Sequence, residues 1–272
     1  MSDTLTVATA LRRTTAFLAA KGVDSPRVDA EHLLAHALGL SRIGLYTEHD
    51  RPLSEAEVEA VRSLARRRGS REPLAYVLGE WGFRRLTLRT DTRALVPRPE
   101  TEIVVERCLA LLEGAERPRV LDVGVGCGAI ALALADEHPG ARVTAVDVSR
   151  DALSLARENA ERLGLDVELR GAGLEAAAEG WDLVVSNPPY VGADELPGLQ
   201  PEVRDWEPRG ALVGEGLHAE LARAARTTWL VLEVGDDQAA EVAHALERLG
   251  YEDVTITRDL AGHERVVEGR RA

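Results

Sequence analysis

Four consecutive residues, Asn187-Pro188-Pro189-Tyr190, carry the clearest chemical signal in the chain. Two adjacent prolines remove two backbone N–H donors, so the main chain there can only accept hydrogen bonds. Asn187 adds a side-chain carbonyl, a second acceptor. Together they can hold a planar –NH2 group by both hydrogens, and Tyr190 supplies an aromatic face for stacking. The nitrogen of an amide or aromatic amine is a poor nucleophile because its lone pair is delocalised. Two acceptors aimed at its protons raise its electron density and point the lone pair at an electrophile. That calls for positioning and fixed dipoles, and not for a strong base. Asn-Pro is also common turn punctuation. Here it directly follows Leu183-Val184-Val185-Ser186, a buried-type strand pattern.

A second constellation lies upstream. Val120-Leu121-Asp122-Val123 leads into Gly124-Val125-Gly126-Cys127-Gly128 and then an apolar run. Glycines let the backbone turn sharply and approach a ligand closely, and the helix start offers free N–H groups. Asp147 closes the next predicted strand, where an acid can accept both ribose hydroxyls. Gly124, Gly126 and Ala129 also satisfy G-x-G-x-x-G/A, which leaves a nicotinamide cofactor open from this segment alone. Asp122 would repel a pyrophosphate and suits a cationic ligand, such as the sulfonium or amino group of S-adenosylmethionine. Cys127 has no partner at Cys-x-x-Cys spacing, so a small packing thiol is the simpler reading.

The elements that must present these groups fall into three regions. Residues 1–80 read as a small helical unit. Leu5, Ala8, Leu11, Thr15 and Leu18 recur at helical spacing before Gly22. A second helix starts at Ser25-Pro26, turns Val28, Leu33, Leu34 and Leu38 inward, and stops at Gly39. A third opens on the capping box Ser54/Glu57 and runs to Gly69, and Pro73 to Leu78 forms one more short turn. Residues 81–97, with Trp81, Phe83, Leu86, Leu88 and Leu95-Val96, predict a β-hairpin linker. Residues 98–272 then alternate strands and helices. Strands are predicted at 119–123, 142–147, 167–170, 183–186, 230–234, 254–257 and 265–267, and helices at 100–112, 129–137, 152–163 and 238–249. Such alternation implies an α/β fold, its mostly parallel sheet covered on both faces.

Composition narrows the classes. The 272 residues carry 33 basic and 46 acidic side chains, a formal net charge of −13, which disfavours a phosphate-backbone binder. No run approaches the ~18 apolar residues of a membrane span, and the N-terminus lacks a basic region followed by an apolar stretch. Two cysteines, Cys108 and Cys127, leave no disulfide framework and fit a reducing cytoplasm. His32 and His36 have i, i+4 spacing without a third ligand, so no metal site is expected. Arg62, Arg66, Arg67, Arg68, Arg71, Arg84, Arg85, Arg89 and Arg93 form a basic stretch. It reads as a solvated face, with a docking surface for an acidic partner or RNA as the alternative. Trp206 and Glu207-Pro208-Arg209 follow on a long loop.

The tetrad with Asp122-x-Gly124-x-Gly126-x-Gly128 is similar to the amino-methyltransferases that use S-adenosylmethionine, which act on adenine in DNA, guanine in RNA or glutamine in protein. Arg71-Glu72-Pro73-Leu74-Ala75-Tyr76-Val77-Leu78-Gly79, Val96-Pro97-Arg98-Pro99-Glu100-Thr101-Glu102, and Arg258 to Gly262 with Arg265 to Val267 resemble the PrmC/HemK family, essentially end to end. The resemblance implies a Rossmann-like class I methyltransferase sheet of seven strands, with a helical N-terminal domain that helps to engage the substrate. It implies S-adenosyl-L-methionine as cofactor, held by Asp122, Gly124, Val125, Gly126, Cys127, Gly128, Asp147 and Asn187. It places catalysis on Asn187, Pro188 and Tyr190, and substrate contacts on those residues with Pro189, Arg98, Pro99 and Thr101. The implied substrate is the Gly-Gly-Gln glutamine of class I peptide chain release factors. A cytoplasmic monomer without membrane or nucleic-acid substrate is expected. Two segments depart from the family pattern. Gly171-Ala172-Gly173-Leu174 lacks the usual Asp and bulky residue on the adenine side, and the stretch from Gly210 to Trp229 is short and lacks Pro-Gly-Gly. An adenine- or guanine-directed nucleic-acid methyltransferase and a non-catalytic cofactor-binding protein are the alternatives.

Overall fold

The capping box forms as its spacing predicts. Ser54 Oγ accepts from the Glu57 N–H at 3.3 Å while Glu57 Oε2 accepts from the Ser54 N–H at 2.8 Å. This computed structural model describes residues 5–271, which divide into two compact units. The smaller runs to Gly79 and also contains Gln200–Trp206. Its helices are α1 (Val7–Ala20), α2 (Pro26–Leu38), α3 (Gly44–Thr47), α4 (Glu55–Gly69) and α5 (Leu74–Leu78).

Two faces differ from the predicted ones. On α1 the buried stripe is Val7, Ala10, Leu11, Thr14 and Leu18. Thr6 caps the helix by accepting from the Thr9 N–H, so Leu5 lies outside it and Ala8 and Thr15 sit at the border. On α2, Leu33 and Leu34 are fully buried but Val28 is 43% exposed. Asp29 and Glu31 turn inward instead, because arginines from other helices and loops meet them there. Glu31 accepts from Arg27, Arg42 and the Tyr46 hydroxyl. Arg68 Nε donates to Asp29 at 2.7 Å and its Nη2 lies 2.8 Å from Glu202, which also binds Arg71 at 2.6 Å. These ion pairs correct the reading of the arginine stretch as a solvated face only in part, since Arg62, Arg66 and Arg85 are exposed. Arg68 is buried, and Arg67, Arg84, Arg89 and Arg93 are likewise paired with Glu72, Glu137, Glu158 and Asp91.

The larger unit begins with the hairpin β1 (Glu80–Phe83) and β2 (Leu86–Arg89). The hairpin stops at Arg89, so Leu95 and Val96 belong to the irregular segment after it. Seven strands follow: β3 (Arg119–Val123), β4 (Arg142–Asp147), β5 (Glu168–Gly171), β6 (Trp181–Ser186), β7 (Thr227–Glu233), β8 (Glu252–Arg258) and β9 (Glu264–Arg270). Their order is β5-β4-β3-β6-β7-β9-β8, parallel except for β9, which runs antiparallel to both neighbours.

Alternate residues of each strand feed two cores, as a sheet covered on both faces requires. Val120, Leu183 and Val231 pack with α6 (Thr101–Leu111), α7 (Ala129–Glu137) and α8 (Arg150–Leu163). Their neighbours Leu121, Val184, Leu230 and Leu232 pack with the helices Leu217–Ala224 and Ala239–Arg248. Phe83, Leu86 and Leu88 of the hairpin join the first of these cores. Among the described residues, no helix is long and apolar enough to cross a membrane.

Candidate active site at the carboxyl edge of the sheet

Strand register brings the chemical residues to one edge. Val123 pairs with Val146 on one side and with Ser186 on the other; Asp147 pairs with Gly171, and Ser186 with Leu232. Strand order reverses between β3 and β6, and the crevice at such a switch point is where open α/β sheets take ligands. Ser186 Oγ ties the two strand ends by donating to the Val123 carbonyl at 2.6 Å. A cavity of about 530 Å3 opens there, lined by segments 93–98 and 123–127 and by Asp147, Val148, Ala172 to Leu174 and Ser186 to Pro189.

The loop after β3 turns through left-handed backbone at Gly124 (φ 84°), Gly126 (φ 54°) and Gly128 (φ 95°), which glycine adopts without the Cβ penalty. At Gly124 and Gly126 an added Cβ would meet no protein atom within 4 Å, so the bare backbone borders open space. Asp147 fixes this loop to β4: its Oδ2 accepts from the Gly126 N–H at 3.1 Å and its Oδ1 from the Ser149 N–H at 2.8 Å. A carboxylate has further lone pairs for a ligand hydroxyl. Cys127 is buried, its thiol pushed up to about 12 by burial, and it packs as the sequence suggested.

Asp122 lies beneath the loop and not on the cavity wall. It is 1% exposed; Oδ2 accepts from the Ala131 N–H at 3.1 Å, and Oδ1 has no partner. Burial first, with the nearby Asp147 charge, raises its pKa to about 7, against the pull of the Ala131 N–H. A buried carboxylate with a single hydrogen bond is costly on its own, and a cation bound nearby would offset that cost. On the adenine side, the missing bulky residue is replaced by apolar wall: Val148, 83% exposed, with Leu174, Ala172 and Ile130. Gly173 donates its N–H to Glu175 Oε1 at 2.8 Å, fixing the turn. Glycine backbone, a carboxylate at the strand end, an apolar slot and a buried acid together fit an adenosyl sulfonium.

Asn187, Pro188 and Pro189 line the same cavity. The Asn187 Nδ2 donates to Thr101 Oγ1 at 3.4 Å, while no described protein donor takes up Asn187 Oδ1 or the Pro188 carbonyl. The tetrad is clamped downstream. Gln238 Nε2 donates to the Tyr190 carbonyl at 3.0 Å and the Val191 N–H to the Leu212 carbonyl at 3.0 Å. The Tyr190 ring borders a separate cavity and lies against Gly235, where a Cβ would come within 2.8 Å of it. Burial, with the Glu233 charge, pushes its phenol up to about 12.

Arg98 and Thr101 also reach the main cavity, whereas Pro99 and Gly128 do not. Arg98 is held by a buried Glu207, with both carboxylate oxygens at 2.6–2.8 Å. Glu233 is the residue that sequence reading missed. It ends β7, is 2% exposed, and leaves Oε2 without a partner. The signal was present: one acid stands inside the apolar run Leu230-Val231-Leu232-Glu233-Val234.

Sheet order, glycine loop and acceptor tetrad at the switch point define a Rossmann-like class I methyltransferase. Two solved structures share the fold. One is the hMettl16 catalytic domain in complex with MAT2A 3′UTR hairpin 6 (TM-score 0.55, 18% identity, covering 67% of this chain and 74% of that one). The other is the T. thermophilus 16S rRNA N2 G1207 methyltransferase RsmC in complex with AdoMet and guanosine (TM-score 0.52, 18% identity, 71% and 50%). Residues 9–79 match the model of the PrmC N-terminal domain and residues 101–197 that of the methyltransferase small domain. The release factor glutamine methyltransferase of Geobacter sulfurreducens is 43% identical over 276 residues, covering 97% of this chain and 96% of the relative. That of Deinococcus radiodurans is 43% identical over 274 residues, covering 96% and 97%. The chain belongs to the family of release factor glutamine methyltransferases.

Proposed function

We propose that the protein transfers a methyl group from S-adenosyl-L-methionine to the side-chain amide nitrogen of the glutamine in the Gly-Gly-Gln motif of class I peptide chain release factors. The observation that carries this reading is the pair of unclaimed acceptors, Asn187 Oδ1 and the Pro188 carbonyl, beside the glycine-loop cavity. When bound, the cofactor supplies an electrophilic methyl carbon. Asp147 would accept from its ribose, Val148 and Leu174 would flank its adenine, and the Asp122 charge would offset its positive end. The two acceptors would hold the glutamine –NH2 by both hydrogens and restrict the lone pair to the cofactor's direction. Most of the acceleration then comes from orientation and from dipoles fixed before the reaction. Neither acceptor is basic enough to keep a proton, so the one shed by the methylated nitrogen passes to water.

The helical unit would engage the release factor. Ile43 and Tyr46, 76% and 52% exposed, supply apolar surface of the kind that partners cover. Release factors work where translation does, which places the enzyme in the cytoplasm, and one chain supplies the whole site, so it would act as a monomer. The test is methyl transfer from labelled S-adenosyl-L-methionine to a purified class I release factor, with a Gly-Gly-Gln→Gly-Gly-Ala factor and duplex DNA as controls. Label on the intact factor alone supports the reading. Label on DNA, or cofactor binding without label on any acceptor, overturns it.

A further inference from the structure

We propose that the cavity at the amino edge of the sheet is a binding site for a small ligand carrying two linked phosphate groups. The cavity holds about 740 Å3, within the range of small-ligand pockets. Arg119 and Trp181 open β3 and β6, and Arg271 follows β9, which runs the other way. Arg223 stands in the last turn of the helix Leu217–Ala224, and Arg226 lies just after it. Strand β6 carries the chain from Trp181 at this edge to Ser186 beside the acceptor tetrad, roughly 16 Å at about 3.3 Å per residue. Such a site is independent of the methyl-transfer reading.

Charge and geometry select the ligand. The chain has 46 acidic side chains to 33 basic ones, and arginines elsewhere find carboxylates: Arg68, Arg84, Arg93, Arg98 and Arg107 are all paired. Around this cavity they do not. Among the described residues, no carboxylate lies within 4.0 Å of the side chains of Arg119, Arg223, Arg226 or Arg271. The one acid on the cavity wall, Asp182, accepts instead from the Arg119 backbone N–H at 2.7 Å. Four cationic groups around one hollow repel one another, and an anion between them turns that repulsion into attraction. Two of the guanidinium groups are held in place. Arg119 lies over the Trp181 ring at 4.7 Å and Arg271 over that of Tyr251 at 5.4 Å, so less freedom is lost on binding. A planar guanidinium meets two phosphate oxygens at once, and several of them from separate elements can grip adjacent phosphates. Trp181 itself is 7% exposed and its Nε1 donates to the Ala176 carbonyl at 2.9 Å. It therefore offers no platform for the stacked bases of a single-stranded nucleic acid. The net charge of −13 likewise opposes an extended polyanion. A compact one, pyrophosphate or the diphosphate end of a nucleotide, meets both limits.

The test is isothermal titration of the full chain with inorganic pyrophosphate at low and at physiological ionic strength. Binding is expected, and it should weaken as salt rises. Arg223 and Arg226 are exposed, so replacing both should leave the fold intact. Arg223→Ala with Arg226→Ala should weaken pyrophosphate binding by at least about tenfold. Arg223→Lys with Arg226→Lys, which keeps the charge and loses the fork, should weaken it by about three- to tenfold. Affinity for S-adenosyl-L-methionine should stay within about twofold in both, since the two sites are far apart. Inorganic phosphate, too short to span two guanidinium groups, should bind about tenfold more weakly than pyrophosphate. ADP is the further arm, with the glycine-loop cavity filled by S-adenosyl-L-methionine. Binding tighter than that of pyrophosphate supports a nucleotide as the source, and equal binding supports a free diphosphate. No detectable binding of pyrophosphate up to about 1 mM, or binding that the alanine pair does not weaken, overturns the proposal. So does a lysine pair that binds as well as wild type, which means diffuse attraction without a site. An RNA oligonucleotide held more tightly than pyrophosphate through the same arginines also overturns it, in favour of a polynucleotide.

Discussion

Replacing Asp122 by asparagine should stabilise the cofactor-free protein and weaken its hold on cofactor. Asp122 is buried with one hydrogen bond, and its pKa stands at about 7 against 3.8 for a free side chain. The folded-state value lies above the unfolded one, so the folded state binds the extra proton between pH 3.8 and 7. Stability therefore falls as pH rises through that window, and the loss is complete above it. The integrated cost is about 4 kcal/mol at pH 7 and above, and about 2 kcal/mol at pH 5. Asparagine removes the charge and can still accept the Ala131 N–H, but its Nδ2 replaces Oδ1 without a partner, which returns about 1–3 kcal/mol.

A net gain of about 1–3 kcal/mol at pH 8 is several degrees of Tm for a chain this long. The variant's advantage should narrow towards pH 5. Cofactor affinity, read by isothermal titration at pH 8, should drop by about 3–10-fold because a buried countercharge has gone. Thermal denaturation across pH 5–8 is the assay. A Tm difference that does not change with pH, or a variant less stable than wild type at pH 8 with unchanged affinity, would refute the reasoning.

Other substitutions separate the remaining roles. Asn187→Ala should abolish methyl transfer while leaving S-adenosyl-L-methionine binding within a few-fold, and near-normal turnover would contradict the acceptor role. Asp147→Ala should raise the cofactor's Kd, since it removes the proposed diol acceptor and frees the Gly126 and Ser149 N–H groups; titration calorimetry reads this directly. Arg68→Ala strands Asp29, which is largely buried, while Glu202 keeps Arg71, and should cost about 3 kcal/mol by denaturant titration, as a broken buried ion pair does. Burial by itself would raise the Glu31 pKa, but the Tyr46 hydroxyl with Arg27 and Arg42 brings it down to about 2 from 4.5. Its contribution is present above pH 4.5 and lost as pH falls towards 2. Tyr46→Phe should move acid unfolding of the helical unit to higher pH, as followed by circular dichroism.

The strand–helix alternation from Arg119 to Leu163 was legible because periodicity and glycine punctuation agree there. β3, β4 and α7 begin and end where those patterns do. The tetrad and glycine loop were equally plain, since missing N–H groups and missing Cβ atoms are properties of residue type and need no partner to be read. Edges and faces were less so. Val28 is apolar and was placed inward, yet Asp29 and Glu31 occupy the interior of the helical unit because Arg68 and Arg42 reach them. Hydrophobic patterning has no way to register an ion pair formed across distant segments. The arginine stretch misled for the same reason where its partners, Asp29, Glu137 and Glu158 among them, lie far along the chain.

The sequence by itself determined the fold class, the glycine loop and the N–H-free tetrad, because each follows from residue type and local periodicity. Only the tertiary structure decided that Asp122 lies under the loop with one oxygen left unpartnered, that Tyr190 borders a cavity of its own, and that Glu233 is buried at the end of β7. Those facts depend on strand register and burial. These set the local dielectric and the direction of each hydrogen bond, and they exist only once segments far apart in the chain have packed together.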